Sequence, residues 1–187
     1  MKPLVRFFNP VRLDKITRLL EIRGVEVDVH WTVFLVVAFI LTGVLRQPGL
    51  TVLGLTAYFS VMLIHELGHA WMAQRKKCEV LEITIYPIFA LTRFTRPRNK
   101  VDHCLIAWGG VLAQVVVFVP LILFAAVIGI PKVQAVEMLF AILGFYSLGV
   151  ALFNLLPVPP LDGSIAWGLF PALLANRRTP VSRSSGY

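Results

Sequence analysis

The chain has 187 residues, of which 57% are hydrophobic and only 15% charged, with a formal net charge of +8. A soluble globular domain carries about 25% charged side chains. Here the apolar excess sits in long blocks separated by short basic segments, which excludes an ordinary soluble domain and fits one compact bundle of membrane spans. The positive charge gathers at the ends of the apolar blocks, where it anchors topology. A nucleic-acid partner would need it along one face, so none is expected. Cys78 and Cys104 lie in one basic region without partner ligands, so they read as free thiols on a reducing side rather than a disulfide framework. No short apolar core with a cleavage site precedes the first span, so no cleavable signal peptide is expected.

Residues 1–29 read as a basic cytosolic or interfacial lead, compatible with a short amphipathic helix on the membrane surface. A first span covers residues 30–45 and ends at the polar turn Arg46-Gln47-Pro48-Gly49. A second covers residues 50–73 and ends at Arg75-Lys76-Lys77. Residues 78–100 contain the β-formers Val80, Ile83, Ile85 and Tyr86 and a second such run after Pro87, the pattern of a small hairpin at the membrane face. Spans three and four follow over residues 101–128 and 135–156, joined by Gly129-Ile130-Pro131-Lys132. The prolines of Pro157-Val158-Pro159-Pro160 then end the helix. The apolar run at 165–174 is too short to cross and reads as a partial or interfacial helix, and residues 176–187 read as a polar, disordered tail. The expected fold is an all-α polytopic membrane protein of about four transmembrane helices, with a membrane-face β-hairpin between spans two and three.

Orientation follows from lysine and arginine. Seven stand in the loop after span two, six in the lead and three in the tail, against only Arg46 and Lys132 in the other two loops. Four spans with both termini in the cytosol satisfy that distribution.

Span two holds His65-Glu66-Leu67-Gly68-His69. Residues four apart share one helix face, so His65 and His69 can meet one metal ion, and neutral imidazole is a good zinc ligand. Glu66 is turned aside from that pair, where a carboxylate can take a proton from an attacking water. Gly68 reads as open space beside the site. Two packing histidines around a glutamate would be costly in hydrocarbon, and ionisable groups at that depth mark function. Catalytic zinc takes three protein ligands, so a third is needed. His65 precedes Arg75 by ten residues, which puts it about 15 Å from the inner face. Span four runs in the same direction, and just beyond it stands Asp162 in unwound chain, allowed at depth only against protein or a wet cavity. Asp162 can fold back to the metal; an ordinary Asp-Gly turn is the alternative. Glu137 sits at the opposite end of span four.

These residues also carry a resemblance. His65-Glu66-Leu67-Gly68-His69 and Asn154-Leu155-Leu156-Pro157-Val158-Pro159-Pro160-Leu161-Asp162-Gly163 resemble the paired motifs of the site-2 protease family of intramembrane zinc metalloproteases (peptidase family M50). Weaker similarity runs from Val27-Asp28-Val29-His30-Trp31 to Gly163. The resemblance implies residues 30–175 as the intramembrane metalloprotease domain, a zinc endopeptidase holding one Zn2+ by His65, His69 and Asp162. It implies Glu66 as general base and Asn154 as a catalytic group that positions substrate or stabilises the oxyanion, with an interhelical hydrogen bond as Asn154's alternative. It implies a hairpin edge strand that receives an unwound substrate helix, and as partners the bilayer and a single-span membrane protein or signal-peptide-like substrate. The chain departs from the family pattern at Phe89-Ala90, where a Gly-Gly pair is usual, and at Gly109-Gly110 and Gln114, where Gly-Pro and a later Asn are usual. These departures bear on the hairpin turn and on span-three packing, and are not expected to touch a ligand. His30 and His103 read as interfacial hydrogen-bonding residues. The competing functions are a membrane metal transporter or sensor using the same histidines, and a catalytically silent membrane scaffold. The expected location is a bacterial inner membrane.

Overall fold

The computed structural model describes residues 16–22, 25–41 and 47–178. Readings that fall on residues 1–15, 23–24, 42–46 and 179–187 lie outside them. The described chain runs β1 (Ile16–Ile22), β2 (Val25–His30), α1 (Thr32–Leu41), α2 (Pro48–Arg75), β3 (Val80–Ile85), β4 (Ala90–Phe94), α3 (Lys100–Val127), α4 (Gln134–Asn154), α5 (Gly163–Ala166) and α6 (Leu169–Arg178).

Three of these helices are long and apolar enough to cross a membrane: α2, α3 and α4, of 28, 28 and 21 residues. Only 28%, 22% and 22% of their most apolar windows are buried inside the protein. Most of their apolar surface therefore faces outward, as lipid-solvated helices require. The first expected span is described over the ten residues of α1, whose only buried residue is Val33; its continuation falls on residues 42–46. The expected spans two, three and four match α2, α3 and α4 to within two residues at each end.

The expected hairpin is present as β3 and β4, paired antiparallel with Ile85 opposite Ala90. It belongs to a larger sheet of order β1-β2-β3-β4. β1 pairs antiparallel with β2, and β2 runs parallel to β3 with Val27 opposite Ile83 and Val29 opposite Ile85. Residues 16–22 and 25–30 are thus strands, and the amphipathic surface helix expected of the lead is not what they form. The physical reason is in Val25-Glu26-Val27-Asp28-Val29: β-branched residues alternate with period two. Val25, Val27 and Val29 are all buried, packing with Ile83, Ile85, Val33 and Ala70 of α2 into the core that seats the sheet on that helix.

Helices α2 and α3 cross at glycines. A Cβ on Gly68 would collide with the Gly109 carbonyl, and one on Gly109 would lie 2.5 Å from the Gly68 oxygen. Small residues let membrane helices approach at the backbone. Gly68 is therefore a packing contact, and the open space expected beside it is filled by α3. Within α4, Phe140–Tyr146 is π-helical. The residue that follows, Ser147, is buried toward α3.

Candidate metal centre

Helix α2 presents His65, Glu66 and His69, all buried, on the side that meets α3 and the sheet. The imidazoles are oriented from α3. His69 Nδ1 lies 2.8 Å from the main-chain oxygen of Ile106, and His65 Nδ1 lies 2.9 Å from Gln114 Oε1. A carbonyl oxygen only accepts, so each Nδ1 carries the proton and donates it. The amide nitrogen of Gln114 points the other way, 3.4 Å from Ser147 Oγ. Both Nε2 atoms are left with lone pairs.

The two lone pairs converge. His65 Nε2 and His69 Nε2 are 3.0 Å apart. Asp162 Oδ2 stands 2.9 Å from the first and 3.1 Å from the second. Three acceptors facing one another at such distances repel unless a cation or a proton sits among them. The edges of this triangle approach the ~3.3 Å ligand spacing of tetrahedral zinc with bonds of about 2.0–2.1 Å. Two histidines and one carboxylate, with a fourth position open, form a donor set that fits zinc. A Cβ on Gly110 would lie 2.6 Å from His69 Nε2 and 2.7 Å from His65 Nε2, so the absence of a side chain there keeps the space beside the ligand atoms clear.

Asp162 reaches the site because α4 stops. The helix ends at Asn154, and the prolines at 157, 159 and 160 cannot continue its hydrogen bonding. The chain folds back under Leu155. Gly163 lies against the carbonyls of Leu155 and Leu156 with no room for a Cβ. Two indoles hold the segment: Trp167 Nε1 donates to Leu155 O at 2.6 Å, and Trp108 Nε1 donates to Ala166 O at 3.0 Å. Their rings meet edge-on at 5.5 Å. Asp162 precedes α5, yet its side chain does not cap that helix. It is turned to the histidines, so the Asp-Gly turn alternative does not use the carboxylate.

Glu66 faces the sheet. Thr92 Oγ1 on β4 lies 2.7 Å from Glu66 Oε2 and 3.2 Å from the Glu66 main-chain oxygen. Asn154 is half-buried at the end of α4, and its side chain makes no hydrogen bond to another described residue, so none of the described helices supplies the interhelical bond considered for it. Glu137 is exposed in the first turn of α4, away from the site. His30 is buried, stacks on Tyr86 with ring centroids 4.9 Å apart, and accepts through Nδ1 from the Thr32 hydroxyl at 2.7 Å. His103 packs near Phe94, with centroids 6.5 Å apart. Neither reaches the centre.

No protein-family model matches the chain. Its sequence is 31% identical over 115 residues to a Synechocystis sp. protein named "Putative zinc metalloprotease", across 58% of this chain and 30% of that protein. It is 28% identical over 148 residues to a zinc metalloprotease of Methanocaldococcus jannaschii, across 78% of this chain and 42% of that protein. The chain thus spans less than half the length of these relatives. Its fold is similar to that of a site-2 protease from Methanocaldococcus jannaschii, with a TM-score of 0.68 over 88% of this chain and 74% of that one, at 20% identity. The chain is thus similar in sequence to two proteins named zinc metalloprotease, and in fold to a site-2 protease.

Two departures from the site-2 protease pattern now have a structural account. At the hairpin, Tyr86 N donates to Phe89 O at 2.8 Å around a Pro87-Ile88 corner. None of these residues has positive φ, so the turn needs no glycine. In α3, Gln114 does touch a candidate ligand, contrary to expectation, because it accepts from His65. The roles of Gln114, Gly110, Thr92 and the two indoles at the site were missed from the sequence, where Gln114 and Gly110 stood only as departures from the family pattern. Gln114 alone had a clear signal there, as a lone uncharged amide in an apolar span.

Proposed function

We propose that this chain is an intramembrane zinc metalloprotease that hydrolyses a peptide bond of a membrane-embedded substrate helix near the cytosolic face. The observation that carries the reading is the convergence of His65, His69 and Asp162 from two distant parts of the chain, with Glu66 on the same helix. His65, His69 and Asp162 are the ligands in this reading, and zinc held there supplies a Lewis acid that polarises the scissile carbonyl and makes water more acidic. Glu66 takes the proton as water attacks the carbonyl carbon and returns it to the departing amine as the C–N bond breaks. Asn154, whose side chain makes no hydrogen bond to another described residue, is the candidate donor to the developing oxyanion or to the substrate backbone.

A helical peptide bond is shielded, so the substrate must be extended before attack. β4 is an end strand of the sheet and lies against Glu66 through Thr92, which supports strand addition along that edge. A cleft of about 670 Å³, lined by Val36, Ile40, Leu55, Phe59 and Ile88 among others, opens beside the hairpin turn and is apolar enough for a hydrophobic substrate segment. The charge distribution supports a multi-pass protein with both termini in the cytosol, and the family resemblance supports a bacterial inner membrane and single-span proteins or leftover signal peptides as substrates.

The test is cleavage of candidate single-span substrates in proteoliposomes by wild type and by Glu66→Gln. Loss of at least a hundredfold in rate with zinc retained is expected. Equal cleavage by both proteins would refute the mechanism, and zinc flux that survives Glu66→Gln would favour a transporter.

A further inference from the structure

We infer that Thr92 is a positioning residue for Glu66, so that the strand offered to substrate also aims the general base. The inference deepens the protease reading and rests on it. Among the described residues, the Thr92 hydroxyl is the only side-chain partner of the Glu66 carboxylate, donating to Oε2 at 2.7 Å. Both side chains are buried, Thr92 at 8% and Glu66 at 6% exposure, so water does not compete for the bond. Alternation along β4 explains the direction. Leu91 and Arg93 are exposed, while Thr92 between them turns toward α2.

A free carboxylate at the end of a glutamate side chain has broad rotational freedom about its last torsion. Binding one oxygen to a strand fixes the plane of the group and leaves Oε1 as the oxygen that receives the proton. β4 is packed against α2 and is also the sheet's end strand, so a peptide added along it takes its register from the element that holds the base. Any small sliding of β4 on substrate pairing moves the carboxylate with it. The Thr92 side chain lies outside the His65, His69 and Asp162 cluster and acts only through Glu66.

The test compares Thr92→Val, which keeps the shape and removes the hydroxyl, with Thr92→Ser, which keeps the hydroxyl. Full-length protein loaded with zinc in proteoliposomes is used. Thr92→Val is expected to lower kcat about 10- to 100-fold with KM within about twofold of wild type and one zinc per chain retained. Thr92→Ser is expected to recover at least tenfold of any larger loss. A second readout needs no turnover. The isotope-edited infrared carboxylate band of Glu66, assigned by its disappearance in Glu66→Gln, should shift in Thr92→Val and keep its wild-type position in Thr92→Ser. An unchanged band in Thr92→Val, an unchanged kcat, or equal damage by both substitutions overturns the inference. If Glu66→Gln cleaves as well as wild type, the protease reading fails instead, and the infrared band still decides whether Thr92 holds the carboxylate.

Discussion

Replacing Gly110 by alanine should empty the metal centre. The new Cβ would stand 2.6 Å from His69 Nε2 and 2.7 Å from His65 Cε1 and Nε2. Ordinary contact between such atoms is about 3.5 Å, so each ring must retreat by about 0.8 Å. The rings have little freedom to do so. His69 is tied to Ile106 O at 2.8 Å and His65 to Gln114 Oε1 at 2.9 Å. Those two anchors lie four residues before and four after Gly110, on the same face of α3. The intruding methyl and both tethers therefore belong to one rigid surface. Zinc–ligand distances tolerate only about ±0.2 Å, so a displacement of about 0.8 Å costs the site at least a hundredfold in affinity, about 2.8 kcal/mol. Zinc content of protein purified in nanodiscs, and competition against a chelator of known affinity, measure it. Gly149→Ala is the control, since a Cβ there meets nothing within 4 Å. Gly110→Ala protein holding one zinc per chain at wild-type affinity would refute both the placement of the rings and the ligand assignment.

Gln114→Leu should weaken zinc about 10- to 100-fold in the same competition assay, because it leaves the His65 Nδ1 proton buried without an acceptor and the ring free to turn. Unchanged affinity would mean that the ring is oriented by packing alone. Trp167→Phe removes the indole donor to Leu155 O and should cost the Asp162 segment about 1 kcal/mol of local stability. Amide exchange over residues 155–166 should then accelerate about fivefold while α2 and α3 keep wild-type protection. Acceleration spread evenly over all helices would argue against a local clasp.

The closeness of His65 and His69 was legible because helical periodicity turns a spacing of four into adjacency. Asp162 was legible through depth, since positive charge sets the direction of each span and rise per residue sets the level. The spans themselves follow from length and hydropathy. What failed was whatever depends on which face meets which. Gly68 was read as space, but a glycine on a membrane helix can equally mark a crossing, and only the position of Gly109 decides. Thr92 is one hydroxyl in a strand, and its meaning comes from the glutamate that α2 sets against it. The period-two valines of β2 were present in the lead, but the interleaved basic residues of the whole segment favoured a surface helix. The parallel pairing of β2 with β3 joins strands separated by two apolar helices, a contact that no local pattern announces.

The separation between ligands has a consequence for how the chain holds together. His65 and Asp162 are 97 residues apart, and everything between them is two further spans and the hairpin. An ion shared by the two would act as a staple across a very long loop, and cross-links of roughly a hundred residues are worth on the order of 4–5 kcal/mol in the chain-entropy description. Chelation would then do more than stop chemistry. It would unfasten the end of the last span and the helices after it from the rest, while the sheet, seated on α2 by its own apolar core, would stay in place.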